Sequence, residues 1–216
     1  MNFKYSLVAL AAAASFSAQA AVIVLDDFNL TQAVTTASTA AQKTVTGGTN
    51  FDSRTLNVTA GASDPLNPNI VISGGGLRLG GTNLGPYNAT ATWTFNAAVL
   101  GALANSTWSI TLRQDSLDET VTVGGNLRTA SQTGSTVTLA SGNGSGTLNP
   151  FAVTFAAAVN HDSTWSLLIA DYTCNTGFTI QRDGTCGRAA TVPEPGTIAL
   201  LGLGLLGAGA LRRKVK

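Results

Sequence analysis

Between residues 21 and 182, apolar side chains recur at every second position in short runs. AVIVLDDF opens the series, and RTLNVTA (54–60), NIVIS (69–73), GLRLG (76–80), NATATWTFN (88–96) and STWSITLR (106–113) continue it. ETVTVG (119–124), STVTLAS (135–141), FAVTFAA (151–157), TWSLLIADY (164–172) and GFTIQR (177–182) complete it. A period of two puts successive side chains on opposite faces of an extended chain, so each run predicts a half-buried strand. In STWSITLR, Trp108, Ile110 and Leu112 share one face; ATATWTF sets a face of small residues and threonine against another. No convincing amphipathic helix interrupts the runs. Gly, Asn, Asp and Pro cluster between them, in GGTN, DPLNPN, SGGG, VGGN and SGNGSG, where they supply positive φ and end pairing. This spacing predicts an all-β fold, an antiparallel β-sandwich or jelly roll. Residues 30–50, polar and threonine-rich, read either as an extra strand or as a mobile loop.

The two ends follow a different pattern. Residues 1–20 place a cation at Lys4, an apolar run from Leu7 to Phe16, and Ala18-Gln19-Ala20 at the close. Together these predict a signal peptide, helical in its apolar part, cleaved after Ala20 by signal peptidase once the export translocon has engaged it. At the other end stands Val192-Pro193-Glu194-Pro195, which proline geometry makes stiff and extended. Residues 196–211 then carry no charge. As a transmembrane helix they reach about 24 Å against a hydrocarbon core of about 30 Å, a short span met by snorkelling or local thinning. Gly204 and Ala208 form a small-residue face suited to close approach by another membrane helix. Arg212, Arg213, Lys214 and Lys216 keep the terminus cytoplasmic and the body outside. Gly202 to Gly207 fits a dinucleotide-binding glycine spacing but lacks the βαβ context and the acidic residue that such a site needs.

Proline motif, short Gly/Leu helix and basic terminus, in that order, resemble the PEP-CTERM sorting signal of Gram-negative bacteria. The resemblance implies that an exosortase, an integral-membrane cysteine protease, recognises Pro193-Glu194-Pro195 and removes the tail. The inner-membrane anchor is then transient, and the body is delivered to the cell surface or to an exopolysaccharide matrix of the kind biofilms build. The chain accordingly divides into a signal peptide (1–20), an ectodomain (21–191) and a sorting signal (192–216).

Charge follows the same division. Residues 21–192 hold seven Lys or Arg against ten Asp or Glu, a net of −3, so the body has no basic stripe to neutralise phosphates and nucleic-acid binding is excluded on electrostatic grounds. A body of this length suits one domain rather than two. Export to an oxidising compartment makes Cys174 and Cys186 an expected disulfide, and closing so short a loop contributes about 3 kcal/mol.

Candidate chemistry in the body is sparse. VLDDFN (24–29) resembles the opening strand of secreted jelly-roll domains, and Asp26 or Asp27 with Asp171 is a candidate ligand set for a structural Ca²⁺ through hard oxygens. His161, Asp162 and Ser163 stand together without a nucleophile motif around them. Adjacent Asp118 and Glu119 splay across a strand rather than facing each other over a cleft. Trp93, Trp108 and Trp165 have two readings, core filling or sugar stacking, and their in-strand positions favour the core. The expected function is therefore non-catalytic: an exported structural or carbohydrate-binding sandwich, with no cofactor. The alternatives are a secreted carbohydrate-active enzyme and a permanently anchored adhesin.

Overall fold

The computed structural model describes residues 20–60, 69–80, 87–117, 120–157 and 163–188. The signal segment up to Gln19 and the sorting segment, with Val192 to Pro195, Gly204, Ala208, Arg212, Arg213, Lys214 and Lys216, lie outside the described residues. In chain order the elements are β1 (Ala20–Asp26), β2 (Gln32–Thr35), α1 (Ala40–Lys43), β3 (Thr44–Thr46), β4 (Phe51–Ala60), β5 (Asn69–Ser73), β6 (Gly76–Gly80) and β7 (Tyr87–Phe95). They continue as α2 (Ala97–Leu103), β8 (Ser106–Leu117), β9 (Val121–Val123), β10 (Asn126–Arg128), a 3-10 turn (Ala130–Gln132), β11 (Thr136–Asn143), β12 (Phe151–Ala157), β13 (Ser163–Cys174), β14 (Phe178–Ile180) and β15 (Cys186–Arg188).

These strands form two antiparallel sheets in a sandwich-like arrangement, as the alternation predicts. The first runs β11-β8-β13-β6-β5-β2, with β1 also paired to β13; the second runs β10-β9-β12-β7-β4-β3; β14 and β15 make a separate hairpin. Beside β13, β6 covers Ser163 to Trp165 and β1 covers Leu168 to Thr173, so the first strand of the body lies against the last long one.

Inward positions of both sheets fill a single core. Leu56, Val58, Ala91, Trp93, Phe95, Val153 and Phe155 come from the second sheet, and Ile70, Leu77, Ile110, Leu112, Trp165 and Leu168 from the first. Trp165 meets Phe155 across the interior with ring centroids 6.0 Å apart. Trp93, Trp108 and Trp165 are all buried, which settles their two readings in favour of core filling. Trp108 also explains a glycine: a Cβ on Gly142 would stand 2.6 Å from its ring, and the indole donates to the Gly144 carbonyl at 2.7 Å.

Two regions go beyond the strand pattern. Residues 30–50 contain two short strands and one helical turn rather than a single strand or an irregular loop. Helix α2 buries Val99, Ala102 and Leu103, and Asn96 caps it by accepting from Val99 N at 3.1 Å.

Candidate functional site

Strand β1 carries the polar centre of the molecule. Its side chains alternate until Leu25 and Asp26, where the pairing register with β13 shifts and both residues turn inward. This bulge delivers a carboxylate to the core that a regular strand would have left outside. Asp26 Oδ1 accepts the Phe28 N–H at 2.9 Å, an Asx turn that holds buried Phe28 at φ 54. Asp26 Oδ2 accepts Arg54 Nη1 at 2.6 Å and Trp93 Nε1 at 2.8 Å, both from the second sheet.

Arg54 is wholly enclosed, and each of its nitrogens has a partner. Nε donates to Gln32 Oε1 at 3.1 Å and Nη2 donates to the Leu30 carbonyl at 2.5 Å, while the guanidinium lies over the Phe51 ring, 5.3 Å from its centroid. Gln32 Nε2 donates onward to the Lys43 carbonyl at 2.7 Å, tying α1 into the same network. Loss of hydration is thus met by charge-assisted hydrogen bonds, the condition for tolerating a buried ion pair. Sequence reading did not single out Arg54, although it shares its strand parity with inward Leu56 and Val58.

The three candidate calcium ligands are not brought together. Asp26 is engaged with Arg54 and Trp93 inside; Asp27 binds the Asn29 N–H at 3.1 Å and its side-chain amide at 2.8 Å in the exposed loop; Asp171 points outward from β13. Among the described residues, no group of three or more His, Cys, Asp or Glu stands where it could hold a metal ion. Ser163 is buried, and its hydroxyl accepts from Trp165 Nε1 at 3.0 Å. His161, Asp162, Asp118 and Glu119 lie outside the described residues.

Two grooves flank β1 on either side of Asn50, whose amide donates to the Val24 carbonyl at 2.6 Å. The larger, about 430 Å³, is lined by Val24, Asp27, Asn29, Leu30 and Phe51 among others. The smaller, about 210 Å³, lies between Val22, Val99, Ala102, Tyr172 and Asp183. Here Tyr172 donates to the Gly184 carbonyl at 2.5 Å, and burial, reinforced by the Asp183 charge, pushes its phenol above the ordinary tyrosine range. The Thr185 N–H, then the Thr185 hydroxyl, holds exposed Asp183 below the usual carboxylate range. The expected bridge is formed: Cys174 and Cys186 are disulfide-bonded with Cα atoms 5.4 Å apart, fastening the β14–β15 hairpin to β13.

By fold, then, the described body is an antiparallel all-β sandwich with one disulfide and a buried ion pair joining its sheets. What the chain is sorted by is written outside that body. Residues 191–214 match the family model described as the PEP-CTERM protein-sorting motif. The chain thus carries the signal of an exosortase substrate: an exported protein that passes the membrane and ends at the cell surface. No curated protein and no solved structure matches the chain. No helix among the described residues is long and apolar enough to cross a membrane.

Proposed function

We propose that this chain is a non-catalytic structural or carbohydrate-binding β-sandwich delivered by exosortase to the cell surface or the exopolysaccharide matrix. Residues 1–20 direct export and are removed after Ala20. Residues 196–211 hold the precursor in the inner membrane, with Gly204 and Ala208 turned to a neighbouring membrane helix and the terminal cations inside. Exosortase reads Val192 to Pro195 and releases the body. The observation that supports the sorting part of this reading is the motif match over residues 191–214.

The test is the C-terminal residue of the protein recovered outside the cell. A terminus near Pro195 supports sorting with tail removal. An intact Lys216 recovered in the membrane fraction overturns it in favour of a permanently anchored adhesin. Hydrolysis of a polysaccharide by the released body, lost on changing Asp118 and Glu119, overturns the non-catalytic part alone.

A further inference from the structure

Both ends of the described body leave the sandwich at the same place. Strand β1 begins at Ala20, opposite Thr173 near the close of β13. Arg188, the last described residue, pairs with Phe178, whose N–H donates to the carbonyl of Asn175, the residue after Cys174. The β14–β15 hairpin belongs to neither large sheet and is fastened here three times. The fastenings are the Cys174–Cys186 disulfide, the Asn105 amide donating to the Cys186 carbonyl at 3.2 Å, and the Tyr172 hydroxyl donating to the Gly184 carbonyl. Strand pairing and the disulfide span together place Ala20 and Arg188 at most about 22 Å apart. The opposite end of the sandwich holds Leu79, Leu117 and Ser163 of the first sheet and Ala60, Tyr87 and Ala157 of the second. The twelve residues of β13 separate the two ends by about 37 Å.

We infer that in the membrane-held precursor the hairpin end of the sandwich faces the lipid headgroups of the inner membrane, and the end at Leu117 and Ser163 faces outward. This inference rests on residues 196–211 being the membrane helix of the proposed function. Seven residues, Ala189 to Pro195, separate Arg188 from that segment. Their reach is at most about 28 Å, shorter than the body. The disulfide secures this short path. Counted along the chain from Cys174, where β13 ends, twenty-one residues precede Gly196. That path reaches about 75 Å, enough to let the whole sandwich turn over. A signal peptide still joined to Ala20 enters the same end, so the two membrane attachments do not oppose each other. Neither the hairpin nor α2 exposes a large apolar side chain. The end is therefore held at the headgroups by its tether rather than by insertion, and removal of the tail frees it.

The exported precursor, residues 21–216, reconstituted in phosphatidylethanolamine–phosphatidylglycerol vesicles with rhodamine-labelled headgroups, tests this with no exosortase present. A fluorescent amino acid at exposed Ala98 or Thr176, at the hairpin end, is expected to transfer energy to the headgroups severalfold more efficiently than one at exposed Asn88 or Ser116, at the other. Melting temperatures confirm that each labelled chain is folded. A Gly/Ser insert of about twenty residues after Arg188 restores a long reach and is expected to level the four sites. Equal transfer from both ends without the insert, or greater transfer from Asn88 and Ser116, overturns the orientation and spares the sorting reading. A difference that survives the insert shows that the end adheres by itself and overturns the tether. Failure of the precursor to float with the vesicles overturns the membrane anchor of the proposed function, and this inference with it.

Discussion

Two arginines are buried in this sandwich, and they are accommodated differently. Arg54 crosses from one sheet to the other and meets a carboxylate, an amide and a carbonyl, each on a different segment. Arg128, on edge strand β10, donates Nε to Gln114 Oε1 at 3.1 Å and Nη2 to the Ser135 hydroxyl, so its partners among the described residues are neutral. Its exposure is 7% against 0% for Arg54. A cation near an edge keeps some access to water and needs only dipoles. A cation sealed between two sheets needs a countercharge. The comparison shows that burial depth, more than residue type, decides where a fold must commit an aspartate.

The largest effect should come from removing that countercharge. Asp26→Ala leaves Arg54 enclosed and uncompensated, with Trp93 Nε1 short of an acceptor, and should lower unfolding free energy by about 3–5 kcal/mol. Urea denaturation checks this, and a loss under about 1 kcal/mol would mean that water reaches Arg54 as it reaches Arg128. Removing both charges, as in Asp26→Leu with Arg54→Leu, sharpens the point: the double variant should recover most of the loss, since replacing a buried pair by apolar groups is often close to neutral.

Arg128→Met should be milder, about 1–2 kcal/mol, chiefly from the amide oxygen of Gln114 left unpaired. An effect equal to that of Asp26→Ala would erase the distinction between edge and centre. Smallest at neutral pH is Tyr172→Phe, about 1 kcal/mol for one hydrogen bond. Its diagnostic value lies in alkali. The folded phenol holds its proton above the ordinary range, so an unfolded tyrosine ionises first, at about pH 10. Stability is complete below that pH and falls as pH rises towards the folded pKa. The Phe variant should lose this part of the alkaline decline, measured by melting temperature against pH.

Much of the fold was legible because alternation is a local signal. NATATWTFN, FAVTFAA and NIVIS coincide with strands to within a residue, and STWSITLR understates its strand, which runs on to Leu117. Helix α2 was not read, because AAVLGAL is too short to show a period; only Asn96, a good N-cap ahead of it, marked the start. The buried polar centre was less legible still. Arg54 stands at an inward parity that could have been noticed, whereas Asp26 enters the core through a bulge and Gln32 through contact with a helical turn, and neither is encoded in spacing. The sorting motif was readable because it is written in one contiguous segment, and residues 191–214 match the family model there.

The pairing of β1 with β13 joins residues nearly a hundred and fifty positions apart. On the proposed route, export through the translocon amino end first, the earliest strand to reach the far side of the membrane waits there for its neighbour until almost the whole body has followed. The sheet cannot close, and Asp26 cannot be sealed against Arg54, while the chain is still threading. A fold wired from first strand to last thus stays open for as long as passage requires, and such distant pairing makes its completion slow.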